Sequence, residues 1–311
     1  MQPQERIRHP LAVRNVRVLS KRNVTDTILS VTLTGEDLDG FVSAGPTDHI
    51  KLFLPDPATG ILNAPWLTED GAIQRPDTGV SISRDYTPLR FVAATADSLA
   101  TLDIEFVLHE NPGPATVWAQ GAAVDDEVVV AGPRGSVCAP SDAARAILIA
   151  DESALPAATR WLELLPASTR VTIIAQGEDD SIDAYFSADQ RARASIEWLY
   201  REDGPGQLLE AVRSLDFDAD TFVWAAGEAS ELIPVRRYLR ATLAALQASS
   251  PAVAAAAPAD ISAAPAAQPS ASSPAASPAA QLATRLSVQG YWKRGVVNLD
   301  HHAPLDESDP D

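Results

Sequence analysis

Ala146-Ile-Leu-Ile-Ala-Asp-Glu-Ser-Ala-Leu-Pro-Ala157 decides how this chain folds. A short apolar run ends in two acids and a small polar residue, and helical spacing then continues from Leu155 to Leu165. Further apolar runs follow at Arg170-Val-Thr-Ile-Ile-Ala175 and Thr221-Phe-Val-Trp-Ala-Ala226, the last leading into a helical stretch from Ser230 to Gln247. Strands alternating with helices predict a parallel sheet with crossover helices, an α/β domain. Ligands of such sheets sit beyond the carboxyl ends of the strands, where Asp151 and Glu152 fall.

The chain upstream has a different texture. From about Ala12 to Ala131, β-like runs such as Thr27–Leu33, Asp48–Leu54 and Thr101–Leu108 alternate with turn residues, which predicts an antiparallel β-barrel. Asp103 and Glu105 alternate with Leu102, Ile104 and Phe106, the period of a strand buried on one face. Downstream, 248–280 is nearly all Ala, Pro and Ser and cannot bury enough surface to order itself. The expected organisation is a barrel at 1–140, an α/β domain at 141–247, a flexible insertion at 248–281, and a C-terminal segment with an acidic tail at 282–311.

Composition narrows the function. The net charge of -18 opposes nucleic acid or an anionic membrane surface as partner. No apolar run approaches the roughly 18 residues of a membrane span, so no membrane insertion is expected. The single cysteine, Cys138, excludes an internal disulfide and a multi-thiolate metal site. No apolar stretch follows the charged residues at the N-terminus, so the cytoplasm is the expected compartment. A monomer is expected. His301 and His302 sit in a polar tail, and no metal site is assigned to them.

Two segments carry chemistry. In Arg84-Asp-Tyr-Thr-Pro-Leu-Arg-Phe91, Arg84 and Tyr86 share one face of a strand and Thr87 begins the following turn. A cation, a ring and a hydroxyl could meet the pyrophosphate, flat ring and polar edge of a flavin nucleotide. A paired surface arginine beside a half-buried tyrosine fits the same residues. In His109-Glu-Asn-Pro-Gly-Pro-Ala-Thr-Val-Trp-Ala119, Gly113 and Pro114 lead into a helix whose first N-H groups could cradle a phosphate. A routine strand-to-helix turn with Trp118 as core fits equally.

Taken together, and with Gly132-Pro-Arg-Gly-Ser136, Asp151–Pro156, Trp198-Leu-Tyr-Arg201, Ala226-Gly-Glu-Ala-Ser230, Arg236–Arg240 and Gly290-Tyr-Trp-Lys-Arg-Gly295, these motifs resemble the siderophore-interacting protein family, flavin reductases of the ferredoxin-reductase superfamily. Departures are Ser153 for threonine, Leu89 where an arginine often stands, Lys293 for arginine, and a phosphate turn one residue longer than is common. The resemblance implies FAD held by Arg84, Tyr86, Thr87, His109, Gly113, Pro114, Ala115, Thr116 and Trp118, with Tyr291, Trp292 and Arg294 returning to the flavin. It places NADH or NADPH on Asp151, Glu152, Ser153, Ala154, Arg201, Gly227 and Glu228. Hydride would pass to the flavin and single electrons to the Fe(III) of a ferric siderophore, with no acid-base catalytic residue needed. Lys51, Arg90 and Lys293 are the expected substrate cations. The acidic Gln176-Gly-Glu-Asp-Asp180 segment tilts the donor toward NADH. A siderophore-binding protein without turnover, or a general flavin reductase, would share these features.

Overall fold

The computed structural model describes residues 2–218, 220–248, 282, 284–297, 299 and 305. Most of the expected insertion, His301, His302 and the acidic tail lie outside the described residues. The first half comprises β1 (Arg6–Arg8), β2 (Val13–Asn23), β3 (Ile28–Thr34), β4 (Ile50–Leu54), β5 (Trp66–Leu67), β6 (Ile73–Gln74), β7 (Ile82–Tyr86), β8 (Arg90–Val92), β9 (Thr101–Val107), α1 (Pro114–Gly121), β10 (Glu127–Ala131) and β11 (Gly135–Val137).

Seven of these strands form one antiparallel sheet in the order β7-β4-β10-β2-β3-β9-β8. Its edge strands β7 and β8 are consecutive in the chain, joined only by Thr87-Pro88-Leu89. Four Cα steps span at most about 15 Å. The sheet therefore has to curl until its edges meet, which makes it the expected barrel with a seam at 87–89. Its interior is filled by Val31, Leu33, Leu52, Leu102, Ile104 and Val130.

The second half comprises β12 (Arg145–Asp151), α2 (Leu155–Leu164), β13 (Arg170–Gly177), α3 (Ala188–Arg193), β14 (Ala194–Tyr200), α4 (Gln207–Arg213), β15 (Thr221–Glu228), α5 (Ala229–Ala248) and β16 (Leu286–Trp292). The five strands are parallel in the order β14-β13-β12-β15-β16. Strand order reverses between β12 and β15, which opens a crevice at their carboxyl ends. The alternating residues of β12 divide the core: Leu148 packs with Trp161 and Leu162 of α2, while Ile147 and Ile149 pack with α4 and α5. The fifth strand comes from the C-terminal segment, so the α/β unit runs past the boundary expected at 247.

The two halves share a buried interface. Ile28 of the barrel joins the core around α2. Arg160 of α2 donates to the barrel carbonyls of Gly45 (2.7 Å), Ser43 (2.9 Å) and Pro88 (2.8 Å). Glu105, expected on a solvent face, is instead buried because the α/β half covers that face, and it accepts a 2.7 Å hydrogen bond from the Tyr185 hydroxyl.

Burial lifts the Glu105 carboxyl from its ordinary 4.5 to about 7, against the Tyr185 hydrogen bond. Between those values the folded chain holds more proton than the unfolded one, so stability falls as pH rises from about 5 to 7. Glu105→Gln keeps an acceptor for Tyr185 without the charge. It should flatten that slope and stabilise the protein at pH 8 by about 1–3 kcal/mol, read from urea denaturation at both pH values.

Candidate functional site

The barrel seam gathers the first group of predicted residues. Arg84 lies on β7, and its Nη1 bonds only its neighbour's Ser83 carbonyl at 2.7 Å. It has no carboxylate partner among the described residues. The Tyr86 ring packs on Phe106, with centroids 4.6 Å apart, and Phe106 in turn packs on Trp118 of α1 at 5.8 Å. Burial pushes the Tyr86 phenol well above its ordinary value, with Arg84 opposing, so it remains a hydrogen-bond donor. Neither that hydroxyl nor the one of Thr87 has a protein partner among the described residues.

Helix α1 supplies the second group. It starts on Gly113 with Pro114 in its first turn and has no side-chain cap. Its first N-H groups, at Ala115 and Thr116, precede the intrahelical ladder, as a phosphate cradle requires. Gly113 borders open space. The Thr116 hydroxyl is turned away, donating to the Val107 carbonyl at 3.3 Å. Trp118 touches Phe106 and is partly exposed, and His109 is exposed. A free cation, unpartnered hydroxyls and an uncapped helix start together fit a flavin dinucleotide.

The crevice between β12 and β15 holds the third group. Asp151 is buried, and both Ser153 N (3.0 Å) and the Ser153 hydroxyl donate to its Oδ1, closing a turn ahead of α2. Its Oδ2 accepts from Trp292 Nε1 at 2.7 Å. Arg201, at the end of β14, grips both oxygens of the buried Glu152 at 2.7 and 2.8 Å and lies 3.7 Å from Asp151. Burial, then Asp151, push the Glu152 carboxyl upward, and Arg201 opposes them. Two buried carboxylates thus share one guanidinium. Arg201 Nε and Nη2 are buried donors without a hydrogen-bond partner, which a bound nucleotide's oxygens would satisfy.

Gly227 makes this arrangement possible. Its φ is +148°, and a Cβ there would stand 2.6 Å from the Asp151 carboxyl carbon. Beside it, Glu228 accepts from Glu231 N (2.8 Å) and Arg294 N (3.0 Å), so its carboxylate anchors α5 and the final turn. Ala154 is fully buried and contributes only backbone. Tyr291 and Trp292, expected at the flavin with Arg294, end β16, and Trp292 and Arg294 bond Asp151 and Glu228.

The expected substrate cations differ in availability. Lys51 is bound to Asp85 at 2.7 Å, whereas Arg90, on the other edge of the seam, is exposed and has no carboxylate partner among the described residues. Lys293 is exposed at the start of a tight turn in which Val296 N donates to its carbonyl at 3.0 Å. Glu178 lies 3.9 Å from Arg201, so the acidic segment expected to favour NADH is partly neutralised. Sequence reading missed Arg160, although an arginine between Thr159 and Trp161 in an apolar helix was its signal. No cluster of three or more His, Cys, Asp or Glu positioned for a metal occurs among the described residues.

Known proteins match both halves. A model of the siderophore-interacting FAD-binding domain matches residues 17–137, and a model of siderophore-interacting protein matches 143–256. The NADPH-dependent ferric-chelate reductase of Escherichia coli (strain K12) is 35% identical over 228 residues, 72% of this chain and 85% of that one. Ferric vibriobactin reductase ViuB of Vibrio cholerae is 32% identical over 225 residues, 71% of this chain and 80% of its own. The crystal structure of a siderophore utilization protein from T. fusca superposes with a TM-score of 0.73 at 34% identity, covering 96% of this chain and 100% of that one.

Proposed function

This chain belongs to the siderophore-interacting protein family, and from that premise we propose that it is an FAD-dependent reductase of ferric siderophores, driven by NADH or NADPH and acting in the cytoplasm. One observation carries the reading. Helix α2 begins at the Asp151 turn, and five residues later Arg160 bonds the Pro88 carbonyl in the barrel seam. At 1.5 Å per residue, about 8 Å of helix separates the nucleotide crevice from the residues offered to the flavin.

Within that frame Arg84 and the start of α1 would hold the pyrophosphate of FAD, and Tyr86 and Thr87 would meet its ring system. FAD, when bound, supplies hydride acceptance and single-electron donation. Asp151, Glu152 and Arg201 would line the nicotinamide end of the donor, and carboxylates there would favour the positive ring that hydride loss leaves. Arg90 meets the anionic ferric complex at the seam. Reduction to Fe(II) loosens the grip of hard oxygen donors, so iron is released. The donor preference seen in the sequence has no support in the E. coli relative, which is named for NADPH.

Anaerobic stopped-flow tests the reading. NADH or NADPH should bleach the flavin, and added ferric siderophore should restore its absorbance with formation of Fe(II). A flavin that stays reduced in the presence of ferric siderophore rules the reductase out. Arg90→Ala should raise KM for an anionic ferric siderophore several-fold, up to about tenfold, while the hydride step is unchanged.

A further inference from the structure

We propose that the amino-terminal edge of the parallel sheet carries a binding site for a multivalent phosphate anion of the inorganic triphosphate type, separate from the redox site. Arg145, Arg170, Arg191 and Arg193, with Thr172 and Ser195, line an open groove of about 600 Å³ there. The chain has 24 basic residues against 42 acidic ones, so four arginines around one groove stand out against a strongly negative background.

The four are arranged around the groove without an ion-pair partner among the described residues. Arg145 and Arg170 begin β12 and β13 and are direct partners in the parallel register. Neighbouring strands lie about 4.8 Å apart, so two like charges sit side by side, a destabilising arrangement. Arg193 is held by the Thr169 and Pro166 carbonyls, both at 2.7 Å, and Arg191 by the Asp183 carbonyl at 3.1 Å. None of the four has a carboxylate ion-pair partner among the described residues. Asp218 feels the charge of Arg145, but its Oδ1 is occupied by the Thr221 hydroxyl and Asp220 N.

Ordinary causes account for three of the four. Arg191 and Arg193 end α3, where cations complement the helix dipole. Arg145 has the field of Asp218, and Arg170 has no such compensation. An oxyanion with several charges would relieve their repulsion and accept from guanidinium forks preset by carbonyls. The groove also offers the Thr172 and Ser195 hydroxyls. The seven residues of β12 put about 20 Å between Arg145 and Asp151, so an anion here touches neither electron donor nor acceptor.

The test is thermal unfolding of the full chain as purified, with oxidised nicotinamide nucleotide present to fill the crevice. Inorganic triphosphate should raise the midpoint by about 2 °C or more over sodium chloride at equal ionic strength. Arg145→Ser with Arg170→Ser should abolish that rise without altering flavin reduction by the nucleotide. Arg170→Ser alone, at an exposed position, should weaken triphosphate binding several-fold in calorimetry and guards against a misfolded double variant. A wild-type shift no larger than that of matched salt, or a shift retained in both variants, overturns the site.

Discussion

Arg201→Met should lower the stability of the folded chain by about 3–5 kcal/mol at neutral pH, because it leaves two buried carboxylates facing each other without a cation. Arg201 is the group that grips Glu152 at 2.7 Å and reaches Asp151 at 3.7 Å. Burial and Asp151 already push the Glu152 carboxyl upward, and removing the guanidinium removes what holds it down. The variant should therefore take up a proton at Glu152 on folding, so its loss of stability grows as pH rises. Urea denaturation at pH 5.5 and 8 reads this directly, and adding Glu152→Gln to Arg201→Met should recover part of the loss. A cost below about 1 kcal/mol at both pH values would mean the pair behaves as a solvated surface bridge.

Arg84→Ala should strip the flavin. The guanidinium has no carboxylate to neutralise it among the described residues, and one or two charge-assisted bonds to a phosphate are worth about 1.5–3 kcal/mol. FAD affinity should fall about 10- to 100-fold, measured by fluorescence titration of the apoprotein, while the melting point of the flavin-free chain hardly moves. Arg84→Lys restores charge but not the fork, so it should recover only part of the affinity. Lys51→Ala provides the contrast. Its partner Asp85 already satisfies it at 2.7 Å, and flavin content should not change. An Arg84→Ala protein that purifies fully yellow would remove this residue from the flavin site.

Legibility in the sequence followed the range of the interactions involved. The strand-to-helix turn at Asp151 could be read because apolar runs, helical spacing and a loop of small residues are local signals. Arg84 with Tyr86 could be read for the same reason, since a two-residue spacing fixes a shared face. Glu105 could not, because the alternation of β9 says which residues leave the barrel interior but not that Tyr185 will cover them. Lys51 looked free until its register partner Asp85 was known. The contact of Trp118 with Phe106 could not be read either, because it joins a helix to a strand. The bonds of Trp292 to Asp151 and of Arg294 to Glu228 could not be read, because they depend on a strand joining a sheet formed far upstream.

That late strand also sets an order of events during synthesis. Every residue of β15 is buried, and one of its two hydrogen-bonding edges is closed only by β16. After Glu228, 64 more residues must be added to reach Trp292, the end of β16. At translation rates of about 5–20 residues per second, an apolar strand waits roughly 3–13 s with a bare edge after its own residues have been made. The barrel can close early, but the α/β half is exposed to edge-to-edge aggregation until residue 292 has left the ribosome.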